Sequence, residues 1–214
     1  MSKYKILQIE HLTDSTFRFR AERNSTLIRA GQCFNVGVAG TGINREYSLY
    51  SGINSSYVEF LIKEIKGGIV SSSLKNLQIN DFVEIDGPYG NFCLEEPIDI
   101  EKKYLFLATG TGIAPFHSFV KTYPNLNYTI LHGIRFSHEQ YDLNDYTPGC
   151  YIPCISNNTN GRPSYRLTEY LRQNPASPDT TVYLCGNRNM IIDAYEIVLD
   201  QGISSSNIFT EVFF

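Results

Sequence analysis

Two rhythms of hydrophobic and polar positions divide the chain. From Lys3 to Asp86, short runs rich in β-branched and aromatic residues alternate with turn residues: Tyr4–Ile9, Thr16–Arg20, Cys33–Val38, Glu46–Tyr50, Val58–Ile65 and Phe82–Ile85. The pattern predicts a small antiparallel β-barrel. A single helical stretch, Ser71–Leu77, interrupts it after Gly67-Gly68 and before the Asn80-Asp81 turn. From Lys102 onward the apolar runs are Tyr104–Ala108, Tyr128–His132, Tyr151–Ile155, Val182–Cys185 and Ile208–Val212. Most are separated by stretches long enough for a helix, notably Ala114–Tyr123 and Met190–Gln201. Buried parallel strands with crossover helices predict a doubly wound α/β sheet, whose ligand crevice lies beyond the carboxyl ends of its strands. The expected division is therefore an antiparallel β-barrel domain over residues 1–98 and an α/β domain over residues 99–214, with the boundary near Glu95-Glu96-Pro97.

A length of 214 residues suits two small domains, each with its own core. No apolar run is long enough to span a bilayer, and Met1–Ile6 lacks the apolar stretch and cleavage site of a signal peptide, so the expectation is a cytoplasmic protein with no membrane partner. A net charge of −4 gives no basic stripe for a phosphate backbone, which argues against nucleic acid. The five cysteines, Cys33, Cys93, Cys150, Cys154 and Cys185, form no C-x-x-C pair and no iron–sulfur spacing. The four histidines make no metal-binding spacing, so no metal is assigned and any redox centre is expected to be organic.

The segment Leu105–Pro115 reads as a buried strand running into a glycine turn and then a helix. Gly110 and Gly112 let backbone amides approach a pyrophosphate, and the following helix directs its positive end at the same anion, with Pro115 suited to its first turn. The same segment also fits a tight strand-to-helix turn with no ligand. The acidic residue that would bind a ribose hydroxyl about 20 residues further on is missing. The second strand instead ends in Leu131-His132-Gly133-Ile134-Arg135, where Arg135 can hold a 2′-phosphate or stand as a solvated charge. In the first half, Arg45 can pair with phosphate, and Tyr47, two positions along the same strand, can stack on an aromatic ring. Gly68-Ile69-Val70-Ser71 opens the helix and offers a second anion site of amides plus a hydroxyl. Cys185 lies at the carboxyl end of a strand, a position open to a packed or a reactive thiol.

Taken in order, these segments resemble the ferredoxin-NADP reductase family over nearly the whole chain. The family's R-x-Y-S motif is similar to Arg45, Tyr47 and Ser48, its G-x-x-S turn to Gly68, Ile69, Val70 and Ser71, and its G-P-x-G turn to Gly87-Pro88-Tyr89-Gly90. The G-T-G-I-A-P turn stands unchanged from Gly110 to Pro115, and the C-G-x-x-x-M stretch is Cys185, Gly186 and Met190. The resemblance implies bound FAD rather than FMN. Arg45 would then contact the flavin diphosphate, Tyr47 stack on the ring and Ser48 sit beside its reactive nitrogen. It implies NADPH or NADH as substrate, held by Thr109, Gly110, Thr111, Gly112, Pro115, Gly186 and Met190. Arg135 and Arg162 are the candidates for a 2′-phosphate, which favours NADPH slightly, although Ser156-Asn157-Asn158 lacks an arginine used there by related reductases. Ser48, Cys185 and Glu211 would line the contact between nicotinamide and flavin. The ending Glu211-Val212-Phe213 resembles the acidic-Val-Tyr ending of the plant-type branch, with phenylalanine for tyrosine and with Phe214 beyond it. Either Phe213 or Phe214 is expected to cover the flavin face. The implied activity is hydride transfer between NAD(P)H and flavin, with electrons exchanged with a small carrier such as ferredoxin or flavodoxin. The alternatives are a reductase of free flavin and an electron-transfer subunit of a larger complex.

Overall fold

The computed structural model describes residues 2–157 and 164–213, and within these the chain divides into two units. The first unit comprises residues 1–94 together with 114–122, and the second comprises 95–113 with 123–214.

In the first unit, β1 (Ser2–His11), β2 (Thr16–Glu22), β3 (Cys33–Val38), β4 (Asn44–Ser48), β5 (Tyr57–Lys63) and β6 (Phe82–Tyr89) form an antiparallel sheet in the order β4-β3-β6-β1-β2-β5. Alternation explains the core. Phe17, Phe19 and Ala21 of β2 point inward and are fully buried, whereas Arg18 and Arg20 face out to pair with Glu10 at 2.8 Å and Glu59 at 2.7 Å. The sheet curls because the chain beyond β4 returns to β5, where the Tyr50 N–H donates to the Glu59 carbonyl at 2.8 Å. Helix α1 (Ile69–Lys75) plugs this core with Val70 and Leu74.

Helix α2 (Ala114–Thr122) also belongs to the first unit, a correction to the division at residue 98. Its allegiance has a physical cause in its buried face. Phe116 and Phe119 lie 6.0 and 6.4 Å from Phe92, His117 stacks on Tyr50 at 3.8 Å, and the Ser118 hydroxyl donates to the Ser51 carbonyl at 2.8 Å. At its end the Thr122 hydroxyl accepts the Ile53 N–H at 3.1 Å.

The second unit is a five-stranded parallel sheet of β7 (Tyr104–Thr109), β8 (Tyr128–Ile134), β9 (Tyr151–Ile155), β10 (Thr181–Gly186) and β11 (Ile208–Val212), in the order β11-β10-β7-β8-β9. All four pairings are parallel. β10 is buried throughout, as expected of a central strand covered on both faces. Leu105, Leu107, Leu131, Val182 and Leu184 share one core with α3 (Leu167–Gln173) and α4 (Arg188–Asp200). Asn187 starts α4 by accepting the amides of Asn189 and Met190 on its side chain. The strand order reverses between β7 and β10, so the carboxyl ends of these two strands frame the crevice where such sheets bind ligands.

Candidate functional site

Two sets of candidate residues emerge, one in each unit. In the first, β4 carries Arg45 and Tyr47, whose positions pair with Val36 and Phe34 of β3. Arg45 is exposed and its guanidinium donates to the Asn44 carbonyl at 2.7 Å, leaving most of its donors directed to solvent. Tyr47 is half-buried against the apolar core, and burial pushes its phenol up to about 12, opposed by the Arg45 charge. The ring is a neutral, partly apolar platform. Ser48 beside it is buried.

The turn into α1 differs from its sequence expectation in one detail. The Ser71 hydroxyl is buried and accepts the Ile65 N–H at 3.0 Å, so its first task is to close the loop, with its hydrogen left to donate. Val70 is core, whereas Ile69 is exposed. Gly67 has φ +80 and a side chain there would meet no atom within 4 Å, so the space above the turn is open for a ligand.

In the second unit the structure gathers the predicted residues closely. Gly110–Ile113 is a 3-10 turn at the end of β7. The Thr109 hydroxyl accepts the Asn187 N–H at 2.8 Å, tying the loop after β7 to the loop after β10 at the point where strand order reverses. A Cβ on Gly112 would lie 2.5 Å from the Cys185 carbonyl oxygen, and one on Gly186 would lie 2.4 Å from Thr109 Oγ1. The two loops therefore meet with no room for side chains. Gly110 instead has φ +52 and nothing within 4 Å of a built Cβ, which leaves the upper side of the turn clear. These features fit a backbone-lined anion cradle.

Cys185 and Glu211 are register partners on β10 and β11, with Cys185 Sγ donating to Glu211 Oε1 at 3.9 Å. Cys185 is wholly buried, and burial first, then the Glu211 charge and this hydrogen bond, hold its thiol well above the ordinary range. It is a packed thiol, not a thiolate. Iodoacetamide at about pH 8 is expected to label half-exposed Cys150 in the native protein and to reach Cys185 only after unfolding, as peptide mass mapping would report. Met190 is buried in the second core. Pro115 is likewise buried, in α2 of the first unit. The Phe213 N–H donates to the Gly186 carbonyl at 2.9 Å, and its half-buried position leaves part of the residue accessible. Arg162 and Phe214 lie outside the described residues.

Sequence reasoning named Arg135 but missed Arg166, which lines the same basin, and it missed His132. A polar basin of about 440 Å³ is lined by Arg135, Ser156, Asn157, Tyr165 and Arg166, among others. The nearby carboxylates are occupied by backbone: Glu139 accepts the amides of Arg135 and Phe136 at 2.7 and 3.0 Å, and Glu169 accepts that of Arg166 at 2.8 Å. Among the described residues neither guanidinium is paired with a carboxylate, so both stay available to an anion. His132 is buried at the end of β8, with Nε2 2.8 Å from the Gly110 carbonyl and Nδ1 2.7 Å from the Tyr151 hydroxyl. Burial lowers it to about 4. No sequence pattern marks it, because only the fold places it beside Gly110.

Among the described residues no group of three or more His, Cys, Asp or Glu is placed to hold a metal ion, and no helix is long and apolar enough to cross a membrane.

Comparison with known proteins follows the same division. Residues 4–93 match the family described as "Oxidoreductase FAD-binding domain". The chain is 25% identical to a ferredoxin–NADP reductase of Azotobacter vinelandii over 94% of its own length and 90% of that relative. A crystal structure of a ferredoxin NADP+ reductase from Neisseria gonorrhoeae with bound FAD and NADP superposes on it with a TM-score of 0.86, at 25% identity, over 100% of this chain and 98% of the other. In sequence and in fold the chain is similar to ferredoxin–NADP reductases. A further relative, the toluate 1,2-dioxygenase electron transfer component of Pseudomonas putida, is 27% identical over 97% of the chain, which spans 66% of that protein's length. The two sheets are the fold expected from the sequence, an antiparallel sheet followed by a parallel α/β sheet.

Proposed function

We propose that this protein is an FAD-dependent oxidoreductase that oxidises NADPH in preference to NADH and passes the electrons to a small carrier protein such as a ferredoxin or flavodoxin. The observation that carries the reading is the tied pair of loops at the reversal of strand order, Thr109–Gly112 and Gly186–Asn187, in a chain whose other unit matches an FAD-binding family. When bound, the flavin supplies a two-electron acceptor for nicotinamide hydride and a donor for the carrier. Arg45 and the amides opening α1 hold its diphosphate, and Tyr47 offers the stacking platform. Thr109, Gly110, Thr111 and Gly112 hold the nicotinamide dinucleotide by its pyrophosphate, and Arg135 with Arg166 grips the 2′-phosphate. Glu211, paired with the buried Cys185 thiol at the ends of β11 and β10, would orient the nicotinamide.

The purified protein should be yellow and should bleach on anaerobic addition of NADPH. A colourless, folded protein that fails to take up FAD sinks the proposal. Tyr47→Ala should lose flavin on dialysis while Tyr47→Phe keeps it, since the ring and not the phenol makes the platform; equal retention by both would remove Tyr47 from the site. Glu211→Gln should lower turnover and leave flavin content unchanged.

A second reading has its own support, since the relative from Pseudomonas putida is named an electron transfer component of a dioxygenase. As such a component the chain would deliver electrons to an oxygenase partner. NADPH-dependent reduction of added ferredoxin or flavodoxin by the isolated chain favours the first reading, whereas turnover with artificial acceptors only favours the second.

A further inference from the structure

The most constrained polar group in the second unit is one that the proposed chemistry does not use. His132 is 1% exposed, yet both of its ring nitrogens are partnered. The partners fix its state. The Gly110 carbonyl can only accept, so Nε2 carries the proton, and Nδ1 must then accept from the Tyr151 hydroxyl. Donation thus runs one way, from Tyr151 O–H to Nδ1 and from Nε2–H to Gly110 O. Tyr151 is itself held by stacking on Tyr146 at 4.9 Å and 19°. The sheet explains how these groups meet: His132 is level with Ala108 on β7 and Pro153 on β9, and Tyr151 precedes Pro153 by two residues on the same face.

The consequence lies in the peptide that His132 grips. In a trans peptide the carbonyl and the following N–H point in opposite directions, so holding the Gly110 oxygen toward β8 turns the Thr111 N–H away from it. A single 3-10 turn with two glycines is weakly specified by itself, and Gly110 has φ +52 with no neighbour within 4 Å of a built Cβ to brace it. The rest of the turn is clamped from the other side, by Asn187 on Thr109 and by the β10 backbone against Gly112. His132 is the clamp on the remaining peptide.

We infer that His132, seated by Tyr151, is a positioning residue that orients the Gly110–Thr111 peptide so that its amide faces the dinucleotide pyrophosphate. The inference rests on the proposed reading of this crevice as the NADP site. An amide already aimed at the anion does not have to be reoriented during binding, so affinity for the pyrophosphate is gained without new contacts.

The test uses FAD-loaded protein titrated with two ligands: NADP+, which has the pyrophosphate, and 2′-phospho-AMP, which lacks it and engages only the Arg135 and Arg166 basin. His132→Leu, which removes the donor and keeps apolar bulk, is expected to weaken NADP+ about tenfold and to leave 2′-phospho-AMP unchanged. His132→Gln, whose amide nitrogen can reach the same carbonyl, should retain NADP+ affinity to within about threefold. Should the leucine variant fold poorly, Tyr151→Phe serves instead, because it frees the ring to take the other tautomer and should weaken NADP+ alone. The inference is overturned if the leucine variant binds NADP+ like the parent, if both ligands weaken equally, or if glutamine fails as leucine does. A parent protein that binds neither ligand removes the NADP reading itself, and the inference with it.

Discussion

Replacing Arg135 by alanine is expected to lower kcat/KM for NADPH by about ten- to a hundredfold while changing that for NADH by less than about threefold, because a charge-assisted hydrogen bond contributes roughly 1.5–3 kcal/mol. Arg166→Ala should behave in the same way. The sign follows from the basin's construction. The two nearby carboxylates, Glu139 and Glu169, accept backbone amides and form no ion pair with either guanidinium, so both arginines keep donors for an anion, and only NADPH brings a 2′-phosphate. Arginine suits this task through its fixed fork of donors, and lysine at either position should restore only part of the loss. The double variant should lose less than the product of the two single losses if both arginines grip one phosphate. Parallel kinetics with the two nicotinamides decide the matter: equal losses for NADPH and NADH would show that neither arginine reads a 2′-phosphate.

Gly112→Ala should reduce stability by about 2–4 kcal/mol and abolish detectable nicotinamide binding, because the new methyl group would press on backbone that cannot yield. It would lie 2.5 Å from the Cys185 oxygen and 2.8 Å from the Gly186 Cα, both on the ordered central strand β10. Gly110→Ala is the informative control. It meets no atom, so only its left-handed φ of +52 opposes the change, a cost of about 1 kcal/mol. Thermal melts of the two variants followed by circular dichroism should rank them in that order. If Gly112→Ala melts with the parent protein, the close contact between the two loops is not a feature of the folded chain.

Much of the fold was legible because both halves obey simple periodicities. Every strand expected from the apolar runs is present within a few residues, since alternation in β2 and continuous burial in β7 and β10 leave few competing readings. Helices were read less well. α1 begins at Ile69 instead of Ser71, directly after Gly67-Gly68, and α4 at Arg188 instead of Met190, where Arg188 and Asn189 carry no apolar signal. α3 was missed: it has seven residues, and its face of Leu167, Thr168 and Leu171 is too short to register as a period. The allegiance of α2 could not be read at all, since Phe92, Tyr50 and Ser51, which hold it, are distant in sequence. At the site, glycines and motif residues were visible because backbone geometry restricts what can stand there. Arg166 and His132 were not, because a single charged or titratable residue has no pattern. Their meaning comes from what the fold places opposite them.

The membership of α2 also bears on how such a protein can be taken apart. Chain order places this helix directly after the glycine turn of the second unit, while its phenylalanines complete the interior of the first. The polypeptide consequently crosses between the units at three peptide junctions, near residues 94, 113 and 122. A protease nick at the first junction alone would release neither half, and a gene fragment starting at residue 95 would encode a helix deprived of its buried partners. Exchange of nucleotide specificity by grafting should therefore transplant 95–113 and 123–214 around a retained host helix, since a single crossover point would carry the wrong aromatic side chains into the recipient's interior.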